Sequence, residues 1–202
     1  MTNHGAEPDG ATPLDEDERE GLRFRHIETR GELDRMEQAN IVEGLRWLNR
    51  QKKPDVLTES FALTLHKRLF GEVWRWAGCF RRTEKNIGVA PHQIAMQLRA
   101  LLDNTRHQTD HAVHPPLELA LRFHHRLVQI HPFPNGNGRH ARIMTDAVLR
   151  FRLQQPAIHW EGRDAAQTLQ AAGEHRAAYI QALRAADARD FAPLLRLFGD
   201  GA

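Results

Sequence analysis

The sequence predicts an all-α fold, a helical bundle carrying one short β-hairpin flap. Three observations lead there. Apolar residues recur at helical spacings over most of the chain, the period of rods with one buried face. Gly and Pro cluster in only two internal stretches, 75–94 and 131–138, so the periodic segments are long rather than strand-sized. Finally, the 202 residues are 41% hydrophobic and 27% charged, which suits one domain with a real core.

The elements follow in order. Residues 1–28 form a polar, Gly/Pro-broken segment that reads as a flexible tail. Residues 29–52 hold a helix of about 31–51: Leu33, Met36, Ile41, Leu45 and Leu48 share a face, Thr29 and Glu32 resemble a capping box, and Lys53-Pro54 closes it. A core domain over 53–202 begins with a helix striped by Leu57, Phe61, Leu65 and Leu69. Gly78, Gly88 and Pro91 then punctuate a stretch expected as the hairpin, with arms Cys79–Arg81 and Asn86–Val89. Helical pattern resumes over 93–106, a His-rich loop is expected over 105–116, and a further helix runs from Pro115-Pro116 to Ile130. Helices of about 139–153, 163–186 and 190–199 complete the chain.

Charge and composition exclude several functions. Lys plus Arg is 28 against 26 for Asp plus Glu, a net +2 too small for a dedicated nucleic-acid coat, so no direct nucleic-acid partner is expected. Cys79 stands alone, which excludes an internal disulfide and a cysteine zinc site. No apolar run approaches the roughly 20 residues of a membrane helix, and the acidic N-terminus has no signal-peptide pattern. A cytoplasmic protein without a membrane partner is the expectation; a homo-oligomer stays open.

The segment 131–142, HPFPNGNGRHAR, carries the chemistry. Gly136 and Gly138 allow close backbone approach, and the next helix aims its N-terminal N–H groups at the same place, a cradle for phosphate. Arg139 and Arg142 neighbour each other on that helix's first turn, where guanidinium groups can clamp phosphate oxygens. His131, at the loop's entrance, is placed to act as a general base.

These residues resemble the signature of the Fic family (filamentation induced by cAMP), HxFx(D/E)GNGRxxR. WAGCFRRTEKNIG at 76–88 resembles that family's flap, and residues 174–195 resemble its C-terminal helices. The opening GATPLDEDE…HIETRGELDRMEQANI resembles the subgroup called mobile mystery protein B. The resemblance implies a Fic-type bundle and protein adenylyltransferase activity, in which AMP passes from ATP to a Ser, Thr or Tyr hydroxyl of a target protein. It implies that His131 deprotonates the target, Phe133 anchors the loop, and Gly136, Asn137 and Gly138 hold the α- and β-phosphates. Arg139 would hold the phosphate chain and Arg142 its γ end, while Lys85, Asn86, Ile87 and Gly88 would hold the target segment by strand-like pairing. ATP is the implied substrate and Mg²⁺ the implied cofactor. The family's acidic metal ligand is Asn135 here, whose amide oxygen can ligate a hard cation but brings no charge. The subgroup implies a small helix-turn-helix partner protein.

One class of the family carries an inhibitory helix with the motif (S/T)xxxE(G/N). Ala39–Gly44 matches it at Glu43 and Gly44, which implies a brake in which Glu43 pairs with Arg142 in the γ-phosphate's place. The alternative for Glu43 is one more solvated helix charge. Two other functions compete: a Fic enzyme that removes AMP or transfers another phosphate-bearing group, with Glu43 positioning water, and a non-catalytic binding module. Elsewhere, His124 on its apolar stripe reads as a hydrogen-bonded core histidine rather than a ligand, and Trp47, Trp74, Trp76 and Trp160 as packing residues. His107, His111 and His114 have a metal-like spacing without an obvious fourth ligand. Arg81-Arg82 is either a solvated pair or a target-positioning element.

Overall fold

The structure is a computed structural model that describes residues 21–24, 30–160 and 169–199. Most of the expected tail and the start of the helix expected from 163 lie outside the described residues. Seven α-helices follow one another in the described part: α1 (Arg30–Asn49), α2 (Glu59–Phe70), α3 (Ile94–Asp110), α4 (Pro116–Ile130), α5 (Asn137–Val148), α6 (Leu169–Asp187) and α7 (Ala192–Phe198). A 3₁₀ turn, Pro91–Gln93, leads into α3, and a π turn, Leu149–Leu153, continues α5. The all-α class read from the periodicity is the fold observed.

α1 lies against α2 through a buried stripe of Leu33, Glu37, Ile41, Gly44 and Leu48 at four- and three-residue steps, with Asn40 beside Ile41. Gly44 marks the closest approach: a Cβ there would stand 2.7 Å from Leu69 Cδ2 and 2.9 Å from the Arg68 carbonyl. Asn40 then serves the end of α2, donating to the Arg68 carbonyl (3.0 Å) and accepting from the Glu72 N–H (2.9 Å). At the other end Thr58 caps α2 by accepting from the Phe61 N–H (3.1 Å).

The stretch expected as a β-hairpin is a loop; no strand ladder forms there, and the one bridge among the described residues joins Leu22 to Trp74. The reason lies in where its donors go. The Arg81 N–H reaches the Pro132 carbonyl (2.9 Å) and the Val89 N–H the Ile130 carbonyl (3.4 Å), so both arms pair with the 130–132 backbone instead of each other. The flap still covers the loop after α4.

α3 also runs past its expected end. Thr105 is buried and satisfies its hydroxyl on the Leu101 carbonyl (2.8 Å), so the helix continues to Asp110 and only 111–115 remain loop.

Two apolar clusters hold the bundle. The larger joins α1, α2 and α3 to one face of α4 and α5 through residues such as Leu65, Leu69, Phe70, Leu98, Phe123, Leu127 and Met144. The smaller joins the other face of α4, through Ala120 and Leu121, to Tyr179, Ala182 and Leu194 of α6 and α7. With apolar groups on both sides, α4 is fixed, and the loop leaving its C-terminus inherits a fixed origin.

Candidate active site

The loop 131–136 is built from inside the core outward. α4 stops because His131 takes a left-handed conformation (φ 51°) while its N–H returns to the Leu127 carbonyl (3.2 Å). Such a conformation is strained for a residue with a Cβ and is retained only where neighbours impose it. Phe133, fully buried, stacks on His66 with ring centroids 3.6 Å apart. The side chain of Asn137 is committed to the loop, accepting from the Phe133 N–H (2.9 Å) and donating to its carbonyl (2.8 Å). Any hold that Asn137 has on a ligand therefore passes through its backbone. Gly136 (φ +75°) lies against the Phe70 ring, where a Cβ would stand 2.7 Å away.

Buried neutral histidines support this loop. His66 accepts the Gly78 N–H at Nδ1 (3.0 Å) and donates to the Asn135 carbonyl at Nε2 (3.1 Å), tying flap and loop to α2. Burial, with the nearby His140 acting second, keeps its pKa well below the ordinary value. His124 is the core histidine expected, paired at Nε2 with the Tyr179 hydroxyl (2.7 Å) and pushed down to about 3 by burial first and Arg142 second.

His131 itself is buried, and its Nδ1 has no hydrogen-bond partner among the described residues. Burial first, and the Arg81 charge second, push its pKa down to about 4. The imidazole is thus held neutral at pH 7, the protonation state a general base needs, while burial makes it a weaker base than a free histidine.

Beyond the loop, α5 begins with Gly136 as its cap, without a side-chain capping bond; the first N–H with an i−4 acceptor is that of His140, to the Gly136 carbonyl (2.9 Å). The preceding N–H groups have no intrahelical acceptor and point outward, as anion sites do. Gly138 is exposed, and a Cβ there would meet nothing within 4 Å, so open space stands over this cradle. Arg139 flanks it, with its guanidinium 4.9 Å from the Phe70 ring centroid. Arg142 extends over the Tyr179 ring (5.1 Å), with its Nε buried and unpartnered.

Asn135 presents its Oδ1 to the Gly136 N–H (2.6 Å), leaving one neutral lone pair. Among the described residues, no group of three or more His, Cys, Asp or Glu is placed to hold a metal ion.

Glu43 is not where the motif implies. Its carboxylate is 59% exposed and pairs with Arg46 on the same helix, so the pairing with Arg142 does not form. The cause is helical phase: Gly44 faces α2, which turns Glu43 about 100° away from the buried stripe. The carboxylate that does reach the loop is Glu37. It is buried in the middle of that stripe, accepts from Trp74 Nε1 at Oε1 (2.7 Å) and pairs with Arg139 at Oε2 (2.6 Å). Sequence reasoning missed it, although its phase with Leu33, Ile41, Gly44 and Leu48 was a readable signal.

Of the flap residues, Lys85 is half-buried and Asn86, Ile87 and Gly88 are exposed beside the loop. Arg82 is exposed, whereas Arg81 is buried with each of its three guanidinium nitrogens donating one hydrogen bond.

The fold and loop define a helical domain with an anion cradle, a neutral buried histidine and two flanking arginines. Comparison with known proteins agrees with this class: residues 56–149 match the model described as the Fic/DOC family. The protein adenylyltransferase Fic of Nematostella vectensis is 30% identical over 133 residues, 62% of this chain and 31% of that protein. Protein adenylyltransferase fic-1 of Caenorhabditis elegans is 29% identical over 160 residues, 75% of this chain and 29% of that protein. The chain spans about three-tenths of the length of these relatives. Among solved structures, BepC of Bartonella tribocorum with bound AMPPNP superposes with a TM-score of 0.66 at 18% identity, covering 92% of this chain and 97% of that one. Fic-1 (residues 134–508) of C. elegans superposes at 0.58 with 27% identity, covering 89% and 55%.

Proposed function

We propose that this chain is a protein adenylyltransferase that moves AMP from ATP to a hydroxyl side chain of a target protein. The observation that supports this best is the convergence, on one loop, of a neutral His131 and an open cradle over Gly138 flanked by Arg139. The names of the relatives agree with it.

In this reading the triphosphate lies along the N-terminus of α5, its charge answered by backbone N–H groups and by Arg139 and Arg142. Residues 85–88 hold the target segment. His131 accepts the hydroxyl proton as the oxygen attacks the α-phosphorus; the bond to the β-phosphate oxygen breaks and pyrophosphate leaves. A neutral imidazole needs no prior deprotonation at pH 7. Mg²⁺ would enter with the nucleotide, since Asn135 offers a single neutral oxygen.

The ion pair with Glu37 answers part of Arg139's charge, so the nucleotide must compete with a carboxylate from α1. The helix-turn-helix partner implied by the subgroup resemblance, and the homo-oligomer left open by the sequence, are not required by this chemistry.

The test is intact-mass analysis after incubation with ATP and Mg²⁺, comparing wild type, Glu37→Gln and Glu37→Gln/His131→Ala. An AMP-sized adduct in the single variant that is absent from the double variant is the expected result. ATP binding without an adduct in any sample would overturn the reading in favour of a binding module, and loss of AMP from a pre-modified protein would assign the reverse reaction.

A further inference from the structure

The flap and the catalytic loop are joined by a buried cation that the proposed chemistry does not use. Arg81 donates from Nε to the His131 carbonyl (2.7 Å), from Nη1 to the Thr83 carbonyl (2.8 Å) and from Nη2 to the Val89 carbonyl. Its own N–H holds the Pro132 carbonyl (2.9 Å). One planar fork thus bonds both ends of the flap and the backbone of the histidine at once.

Gly88 shows how tight the arrangement is. Its φ of +126° already favours glycine, and a Cβ there would stand 2.4 Å from Arg81 Nη2 and 3.0 Å from His131 Cβ. The flap is therefore seated on the guanidinium and on the histidine together.

Burying a guanidinium against carbonyls, with Glu84 exposed and acting only at a distance, is unfavourable unless every donor is used well. Here the three carbonyls diverge in directions that a rigid planar fork can serve and a single ammonium cannot.

We propose that Arg81 is the positioning residue of this site: its guanidinium sets the spacing and register between the target-holding edge at 85–88 and the His131 ring. The inference rests on the adenylyltransferase reading. It goes beyond that reading by assigning a residue outside the signature to the alignment of target hydroxyl and base. Reacting groups displaced by about 1 Å lose about 10²-fold in rate, and this is the loss expected when the fork is removed. The phosphate cradle is formed by α5 and does not touch Arg81, so ATP binding is expected to be spared.

The same residue acts on the base electrostatically. The charged groups that bear on His131 are Arg81 and Lys85, both of which disfavour its protonated form. Removing the Arg81 charge raises the histidine's pKa from about 4 toward its ordinary value.

The experiment compares the full chain with Arg81→Gln and Arg81→Lys by three readouts: ATP affinity by calorimetry, maximal self-labelling rate by intact mass, and the His131 ring titration by NMR, assigned with His131→Ala. For Arg81→Gln the expected result is ATP affinity within about twofold of wild type, a labelling rate down about 10²-fold, and a higher His131 pKa. Arg81→Lys is expected to lose the rate equally while keeping the low pKa, because it retains charge without the fork. Equal labelling rates in wild type and Arg81→Gln, or full rescue by Arg81→Lys, would overturn the proposal. If Arg81→Gln does not fold, Gly88→Ala perturbs the fork from the opposite side, with the same selective rate loss expected and an unchanged rate overturning it. If wild type and Glu37→Gln give no adduct at all, the adenylyltransferase reading fails, and the NMR comparison still decides whether Arg81 governs His131.

Discussion

Replacing Glu37 by Gln tests whether α1 competes with nucleotide at Arg139. The carboxylate is 6% exposed and its partner 39% exposed, with Nη1 to Oε2 at 2.6 Å. Two unit charges at about 4 Å attract by about 4 kcal/mol at an effective dielectric constant of about 20. The exposure of Arg139 and the side-chain ordering reduce the net value to about 1–2 kcal/mol. Glutamine keeps the shape and the oxygen that accepts from Trp74, and removes only the charge. A phosphate that no longer displaces a carboxylate should therefore bind about 5- to 30-fold more tightly. The assay is calorimetric titration of ATP into wild type, Glu37→Gln and Glu43→Gly, with Tm measured for each. Tighter binding in Glu37→Gln and wild-type affinity in Glu43→Gly are expected. An unchanged affinity in Glu37→Gln with an intact fold, or tightening in Glu43→Gly, would refute the assignment of the competing carboxylate.

Three further outcomes follow from the geometry. Gly136→Ala should destabilise by about 2 kcal/mol or more, because it combines a positive φ with a clash against Phe70, and the Tm should fall by several degrees; Gly138→Ala should leave Tm unchanged or raised while weakening ATP, since its methyl enters only the open cradle. His124 (about 3), His131 and His140 (each about 4) are held neutral chiefly by burial. Their folded pKa values lie below the unfolded value of about 6.5, so their stability contribution is full above that pH and is lost as pH falls toward 4, by about 1.4 kcal/mol per group per unit. Tm should drop steeply between pH 6.5 and 5, while the labelling rate of the remaining folded protein should stay flat, with no inflection near 6.5. Asn135→Asp should lower the Mg²⁺ concentration needed for half-maximal labelling, because it adds charge beside the cradle; an unchanged Mg²⁺ dependence would remove Asn135 from metal binding.

The helices were legible because their apolar residues recur with the helical period, and the loop 131–142 was legible because its glycines, prolines and arginines leave few alternatives. What escaped the sequence was direction. Glu43 and Glu37 both lie on α1 and both read as helix carboxylates; only the phase set by Gly44 against Leu69 decides which one turns inward. The flap's punctuation by Gly78, Gly88 and Pro91 fits a hairpin, yet its donors find the carbonyls of Ile130 and Pro132, a long-range competition that no local pattern encodes. Arg81 and Arg82 are adjacent and chemically identical, and the carbonyls of Thr83, Val89 and His131 alone distinguish them.

The electrostatics of the site give these pieces one logic. The histidines beneath the loop, His66, His124 and His140, are kept neutral by burial, so they support it without adding charge. The permanent cations Arg139 and Arg142 flank the cradle, and Asn135 beside it is a neutral amide. A cradle so arranged holds net positive potential and demands an anion. Glu37 already supplies one, donated by a helix outside residues 56–149 and anchored by Trp74. On the proposed reading, nucleotide affinity depends on how firmly α1 stays docked on α2. Weakening that docking away from the site, for instance by Asn40→Ala, which removes both bonds to the end of α2, should raise ATP affinity in the same direction as Glu37→Gln. A fall in affinity on loosening α1 would show instead that the helix supports the nucleotide site, and the carboxylate would no longer count as a competitor.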